Sequence, residues 1–137
     1  MASAISLAAG LSILLLAVPI AAASRPVTFR ANGGPAQVRP ATLYASPTNG
    51  PFAKRLDWSG WGKPRATATG TTYYDTCEPN CSEGYHSTSG EVILSGIHSC
   101  EGHLRYSLLR IIYFPAPEYD LRASYACDGE ATHVHIG

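Results

Sequence analysis

A charge-free leader followed by four cysteines constrains this chain more than anything else in it. No charged side chain occurs from Met1 to Ser24, and Leu11 to Ile20 (LSILLLAVPI) is almost wholly apolar. Ala21, Ala22 and Ala23 follow, then the first charge at Arg25. An apolar helix ending in small residues is the pattern of a secretory signal peptide. Pro19 would end that helix and leave the alanines extended for a peptidase cutting after Ala23. The alternative is an uncleaved anchor, because the stretch approaches the roughly 20 apolar residues that span a bilayer. An exported chain matures where thiols oxidise. Cys77, Cys81, Cys100 and Cys127 are therefore expected as two disulfides in a secreted, extracellular protein.

Four cysteines allow three pairings. Cys77–Cys81 would clasp the turn Cys-Glu-Pro-Asn-Cys, and Cys100–Cys127 would join two strands. On chain entropy the second, closing a loop of about 28 residues, contributes roughly 3–4 kcal/mol, against roughly 2 for the first. The expectation is that Cys100–Cys127 holds the fold and Cys77–Cys81 shapes a loop. Zinc sites pair two short cysteine spacings, and only one is present here.

Residues 24–40 contain Asn32-Gly33-Gly34-Pro35 and Pro40 and are expected to form a flexible lead-in. Residues 41–137 are expected to be a single β-rich domain. Short β-patterned runs recur: Ala41–Ser46, Phe52–Trp58, Ala66–Tyr74, Glu91–Ile97, Leu104–Phe114, Tyr119–Cys127 and Thr132–Ile136. Asp75–Gly90 reads as turn-rich. Phe52, Leu56 and Trp58 fall on one face by strict alternation, as do Tyr106, Leu108, Ile112 and Phe114. Ala66, Ala68 and Gly70 make a small-residue face suited to close approach by the Trp58/Trp61 pair. These runs predict an all-β fold, a small antiparallel β-sandwich or barrel stapled by two disulfides, after an N-terminal signal helix.

Ten basic and ten acidic residues leave the chain formally neutral, with no Lys/Arg run. That argues against nucleic acid and, once the signal is cleaved, against a membrane partner. No nucleophile elbow or phosphate loop is present, so no catalytic residue and no cofactor is assigned. Three readings of function remain. The first is a non-catalytic binding module meeting protein or glycan at the cell surface, with Tyr85, Tyr74 and Trp61 around the cysteine loop as contacts. The second is a small hydrolase of cell-wall or extracellular polymer, using carboxylates among Asp75, Glu78, Glu83, Glu91 and Glu101. The third is a metal-binding protein using His133 and His135, which alternation puts on one face, joined by His98 and His103.

Trp58-Ser-Gly-Trp61-Gly62, then Ala66-Thr-Ala-Thr-Gly70-Thr71, then Cys77-Glu-Pro-Asn-Cys81-Ser-Glu-Gly84 occur in that order. This pattern resembles a group of small secreted actinobacterial proteins sharing W-x-x-W-G, an Ala/Gly/Thr strand and C-x-P-x-C with a following Gly. Ser82 stands where that pattern has Ala. The resemblance implies export and the loop disulfide, and brings no activity, cofactor or catalytic residue.

Overall fold

The computed structural model describes residue 17, residues 25–48 and residues 50–137. The signal segment at 1–23, with its expected helix, lies outside the described residues apart from Ala17. The strands are β1 (Thr28–Phe29), β2 (Thr42–Tyr44), β3 (Phe52–Ser59), β4 (Arg65–Asp75), β5 (Tyr85–Cys100), β6 (His103–Tyr113), β7 (Leu121–Tyr125) and β8 (Ala131–Ile136). They form one sheet, antiparallel from β2 to β8 in chain order. β1 pairs parallel with β6, Thr28 to Arg105 and Phe29 to Tyr106, beside the stretch of β6 that β7 occupies. Among the described residues there is no α-helix.

The sheet curls into a half-barrel. Tyr125 at the end of β7 donates its hydroxyl to the carbonyl of Ala45 just after β2, at 2.8 Å, although the two strands stand far apart in the strand order. The concave side holds the core: Val92 and Leu94 on β5, Leu109 and Ile111 on β6, and Leu121 on β7 are all buried. The disulfides pair as expected, Cys77 with Cys81 and Cys100 with Cys127. They are consistent with an oxidising environment.

Residues 25–40 are not the loose lead-in expected from their turn residues. Val27 and Phe29 are buried in the core, and Phe29 exchanges backbone hydrogen bonds with Gln37 at 2.9 and 2.8 Å. An apolar residue on either side of Thr28 is enough to anchor the segment against β6. β5 also begins earlier than expected. Tyr85–Gly90 is strand, held by pairing with β4 in spite of its turn-forming composition.

Strict alternation fails at two places, each with a backbone cause. Arg55 takes φ 54° and forms a bulge in β3. The bulge sends Ala53, Leu56 and Trp58 inward and Phe52 and Lys54 outward. Gly70 on β4 lies under this bulge, where an added Cβ would meet the Lys54 carbonyl at 2.6 Å. The second switch is at Gly96 (φ 66°), whose carbonyl accepts from the Ser107 hydroxyl at 2.6 Å. Leu94 and Leu109 face inward before it, and Ile97 and Tyr106 face inward after it. Leu108 and Phe114, grouped with Tyr106 by alternation, are instead about half exposed. Of the small-residue face, Ala66 and Ala68 are buried and Ala68 pairs with Trp58, whereas Gly70 is half-buried against the Lys54 carbonyl.

Three core tyrosines make the fold sensitive to alkali. Burial pushes the Tyr125 phenol up to about 12. Burial and then the Asp120 carboxylate push Tyr113 up further still, and burial raises Tyr106. Each folded-state value lies above the unfolded value, so this stabilisation is complete below about pH 10 and is lost as pH rises through the folded values. For Tyr125 the loss is about 3 kcal/mol. Cooperative loss of the β circular dichroism signal above about pH 10 is expected, with buried tyrosinate absorbance appearing in the same step. Smooth titration of all eight tyrosines with the fold intact would contradict this account.

Candidate functional site

The loop between β4 and β5 is stiff for reasons written into its sequence. The Asp75 carboxylate accepts from the Cys77 amide at 2.7 Å. The Asn80 side-chain oxygen accepts from the Ser82 and Glu83 amides at 3.0 and 3.1 Å, an Asx turn that carries the chain out of the disulfide ring. Glu83 accepts in turn from the Asn80 amide nitrogen at 2.8 Å. The loop closes where the Thr76 amide donates to the Gly84 carbonyl at 3.0 Å. Gly84 is buried, and an added Cβ would meet the Asp75 carboxylate at 2.5 Å and the Cys77 amide nitrogen at 2.6 Å.

Next to this loop the convex face carries a strip of aromatic side chains. Tyr44 on β2 pairs with Phe52 on β3, and Phe52 pairs with Tyr73 on β4. The Phe52 and Tyr73 rings stack at 4.3 Å with planes 8° apart, and Tyr44 leans on Phe52 at 5.4 Å. Tyr85, opposite Asp75, meets Phe52 edge-on at 5.3 Å. Lys54 lies over the Phe52 and Tyr73 rings at 5.5 and 5.8 Å. Burial and then the Asp75 carboxylate raise the Tyr85 phenol. Tyr44 is 51% exposed. Because neighbouring rings turn their faces to each other, the strip shows mainly ring edges and phenol hydroxyls to solvent. Tyr44 also borders a hollow of about 470 Å³ between β2 and the 29–37 segment, lined by Phe29, Asn32, Gln37, Leu43 and Pro47.

The three aromatic candidates from the sequence are not brought together. Tyr85 belongs to the strip. Tyr74 points to the opposite, concave face, stacked on Tyr119 at 4.2 Å and on His86 at 5.4 Å. Trp61 packs edge-on against Trp58 and Tyr106 and donates its indole N–H to the Val27 carbonyl at 2.8 Å. Trp58 donates to the Pro40 carbonyl at 2.7 Å. Both indoles are thus spent on the fold. Sequence reasoning missed Tyr44, Phe52 and Lys54. The bulge at Arg55 hid Phe52. The signal for Tyr44 was the Pro47–Pro51 turn, which sets Tyr44 opposite Phe52.

No protein family model, curated protein or solved structure matches this chain.

The histidines and acids lie apart. His133 and His135 on β8 pair with Ser124 and Arg122, facing outward. His98 Nε2 lies 3.7 Å from Cys127 Sγ, and His103 is exposed at the β5–β6 turn. Among the described residues, the groups close enough to ligate one ion are His98 with Cys100 and Cys127, and Asp75 with Cys77 and Cys81. In both, the sulfurs are tied in disulfides and offer no thiolate. Glu78 and Glu83 sit on the loop, Glu101 at the far turn of β5, and Glu91 on the convex face opposite Thr69. His86 and Ser87 are consecutive strand residues and point to opposite faces, so they make no nucleophile–base pair.

Proposed function

We propose that this protein is an exported, non-catalytic binding module that meets a protein partner at or outside the cell envelope. The contact is the strip Tyr44–Phe52–Tyr73–Tyr85 with Lys54. One observation carries the reading: an aromatic strip crosses four strands of the convex face beside a braced loop. Tyrosine and phenylalanine side chains are enriched at protein contact surfaces, where tyrosine supplies area at low entropic cost. Ring edges and hydroxyls suit a protein surface better than a sugar, which stacks on open ring faces. The hollow beside Tyr44 would receive a side chain of the partner. Export is supported by the leader and by two disulfides among the described residues.

The test is retention of the purified exported protein on envelope preparations of its own cells. Protease treatment of the envelope is expected to abolish retention, and glycan hydrolysis to leave it intact. Combined Tyr44→Ser and Tyr73→Ser replacement is expected to weaken retention about 30-fold or more, the scale of a contact hot spot. Retention that survives protease but not glycan hydrolysis would exclude a protein partner. Unchanged retention by the double variant would exclude the strip. Native protein recovered with four free thiols would remove the case for export.

A further inference from the structure

We infer that the convex face of β5–β8 carries a second site, for a carboxylate borne on an apolar chain. It shares no residue with the aromatic strip and does not rest on the proposed function. Arg110 on β6, Arg122 on β7 and His135 on β8 are direct cross-strand neighbours in one row. The adjacent row is Leu108, Ser124 and His133. Like charges placed directly opposite each other destabilise a sheet, so a row of this kind needs an anion. The protein supplies one, Asp120, 3.6 Å from an Arg110 Nη. That carboxylate is also committed to the Tyr113 amide at 3.0 Å. Among the described residues Arg122 has no ion pair, and Arg110 Nε is buried without a hydrogen-bond partner.

These side chains border a hollow of about 330 Å³ that Leu108, Arg110, Arg122, Ser124, His133 and Ser95 line together. Its volume lies at the small end of the roughly 300–1,000 Å³ found for ligand sites. Leu108 is 46% exposed there, an apolar wall left open to solvent. Charge complementarity and this apolar wall select the occupant. Two neighbouring guanidinium groups present planar donors that match a carboxylate, and Leu108 with the arginine stems receives its alkyl chain.

The experiment is calorimetric titration of the purified protein with decanoate, decanol and acetate. Decanoate is expected to bind, with decanol and acetate at least about tenfold weaker, since the charge-assisted contact and the apolar wall are both required. Arg122→Ala and Leu108→Asn are each expected to weaken decanoate about tenfold or more, with the unfolding midpoint held. Arg122→Lys, which keeps the charge and loses the planar fork, is expected to fall between wild type and Arg122→Ala. No decanoate binding would overturn the inference. Decanol or acetate binding as tightly as decanoate would overturn it, as would unchanged affinity in both the Arg122→Ala and Leu108→Asn variants.

Discussion

Replacing Cys100 and Cys127 together by alanine is expected to lower the thermal unfolding midpoint by on the order of 10–20 °C. The bond spans a sequence separation of 27 and encloses the β5–β6 turn, β6 and β7. Without it the unfolded chain regains the freedom of that whole loop, about 3–4 kcal/mol. Removing Cys77 and Cys81 frees only a five-residue ring, for which the same estimate is about 2 kcal/mol. The Asp75 and Asn80 hydrogen bonds continue to hold that loop, so the expected loss is smaller still. Parallel calorimetric scans of the two double variants decide the matter. A larger drop for the Cys77/Cys81 pair would reverse the roles assigned to the two bridges.

The second large effect is expected at Tyr106. Its ring meets Trp61 edge-on at 5.3 Å, and its hydroxyl both donates to the Lys63 carbonyl at 2.7 Å and accepts from the Gly62 amide at 2.8 Å. One side chain thus ties β6 to the turn joining β3 and β4. Tyr106→Ala is expected to cost about 3–5 kcal/mol, the range for an aromatic deleted from a packed core. Tyr106→Phe keeps the ring and is expected to cost about 1 kcal/mol, because Gly62 and Lys63 are exposed and water replaces the lost partner. Denaturant unfolding of both variants, with near-ultraviolet circular dichroism following the tryptophan pair, measures the difference. Equal costs for the two variants would mean that the hydroxyl contacts, not the packed ring, anchor this corner.

Arg55 and Gly96 bear on how far this fold is legible from sequence. Composition and turn chemistry place β2 through β8 approximately, because β-branched and aromatic runs between Gly and Pro leave few other choices. The turn Cys-Glu-Pro-Asn-Cys favours, among three possible pairings, the one observed. Facing is harder to read, because it depends on counting residues in twos. A single bulge at Arg55 or a kink at Gly96 reverses the count for everything beyond it. Strict counting therefore places Phe52 inside and Tyr106 on the face of Leu108. β1 escaped notice for another reason: a two-residue strand carries no periodicity, and its parallel partner lies far along the chain.

The same logic limits the reading of sites. Tyr85 could be picked out by its place next to a cysteine loop. Its neighbours Tyr44 and Phe52 are adjacent only once a hairpin register is known, and Arg110 and Arg122 only once β6 and β7 are paired. Trp61 lies near the cysteine loop in sequence, whereas its indole N–H is committed to Val27.

The burial of Val27 has a practical side for anyone handling this molecule. Arg25 and Pro26 are exposed, and the next residue is already wedged among core side chains. A reporter or affinity handle fused directly ahead of Arg25 would press on the body with almost no slack. Along β8 every residue is exposed through to Gly137, so the carboxyl end offers the roomier point of attachment.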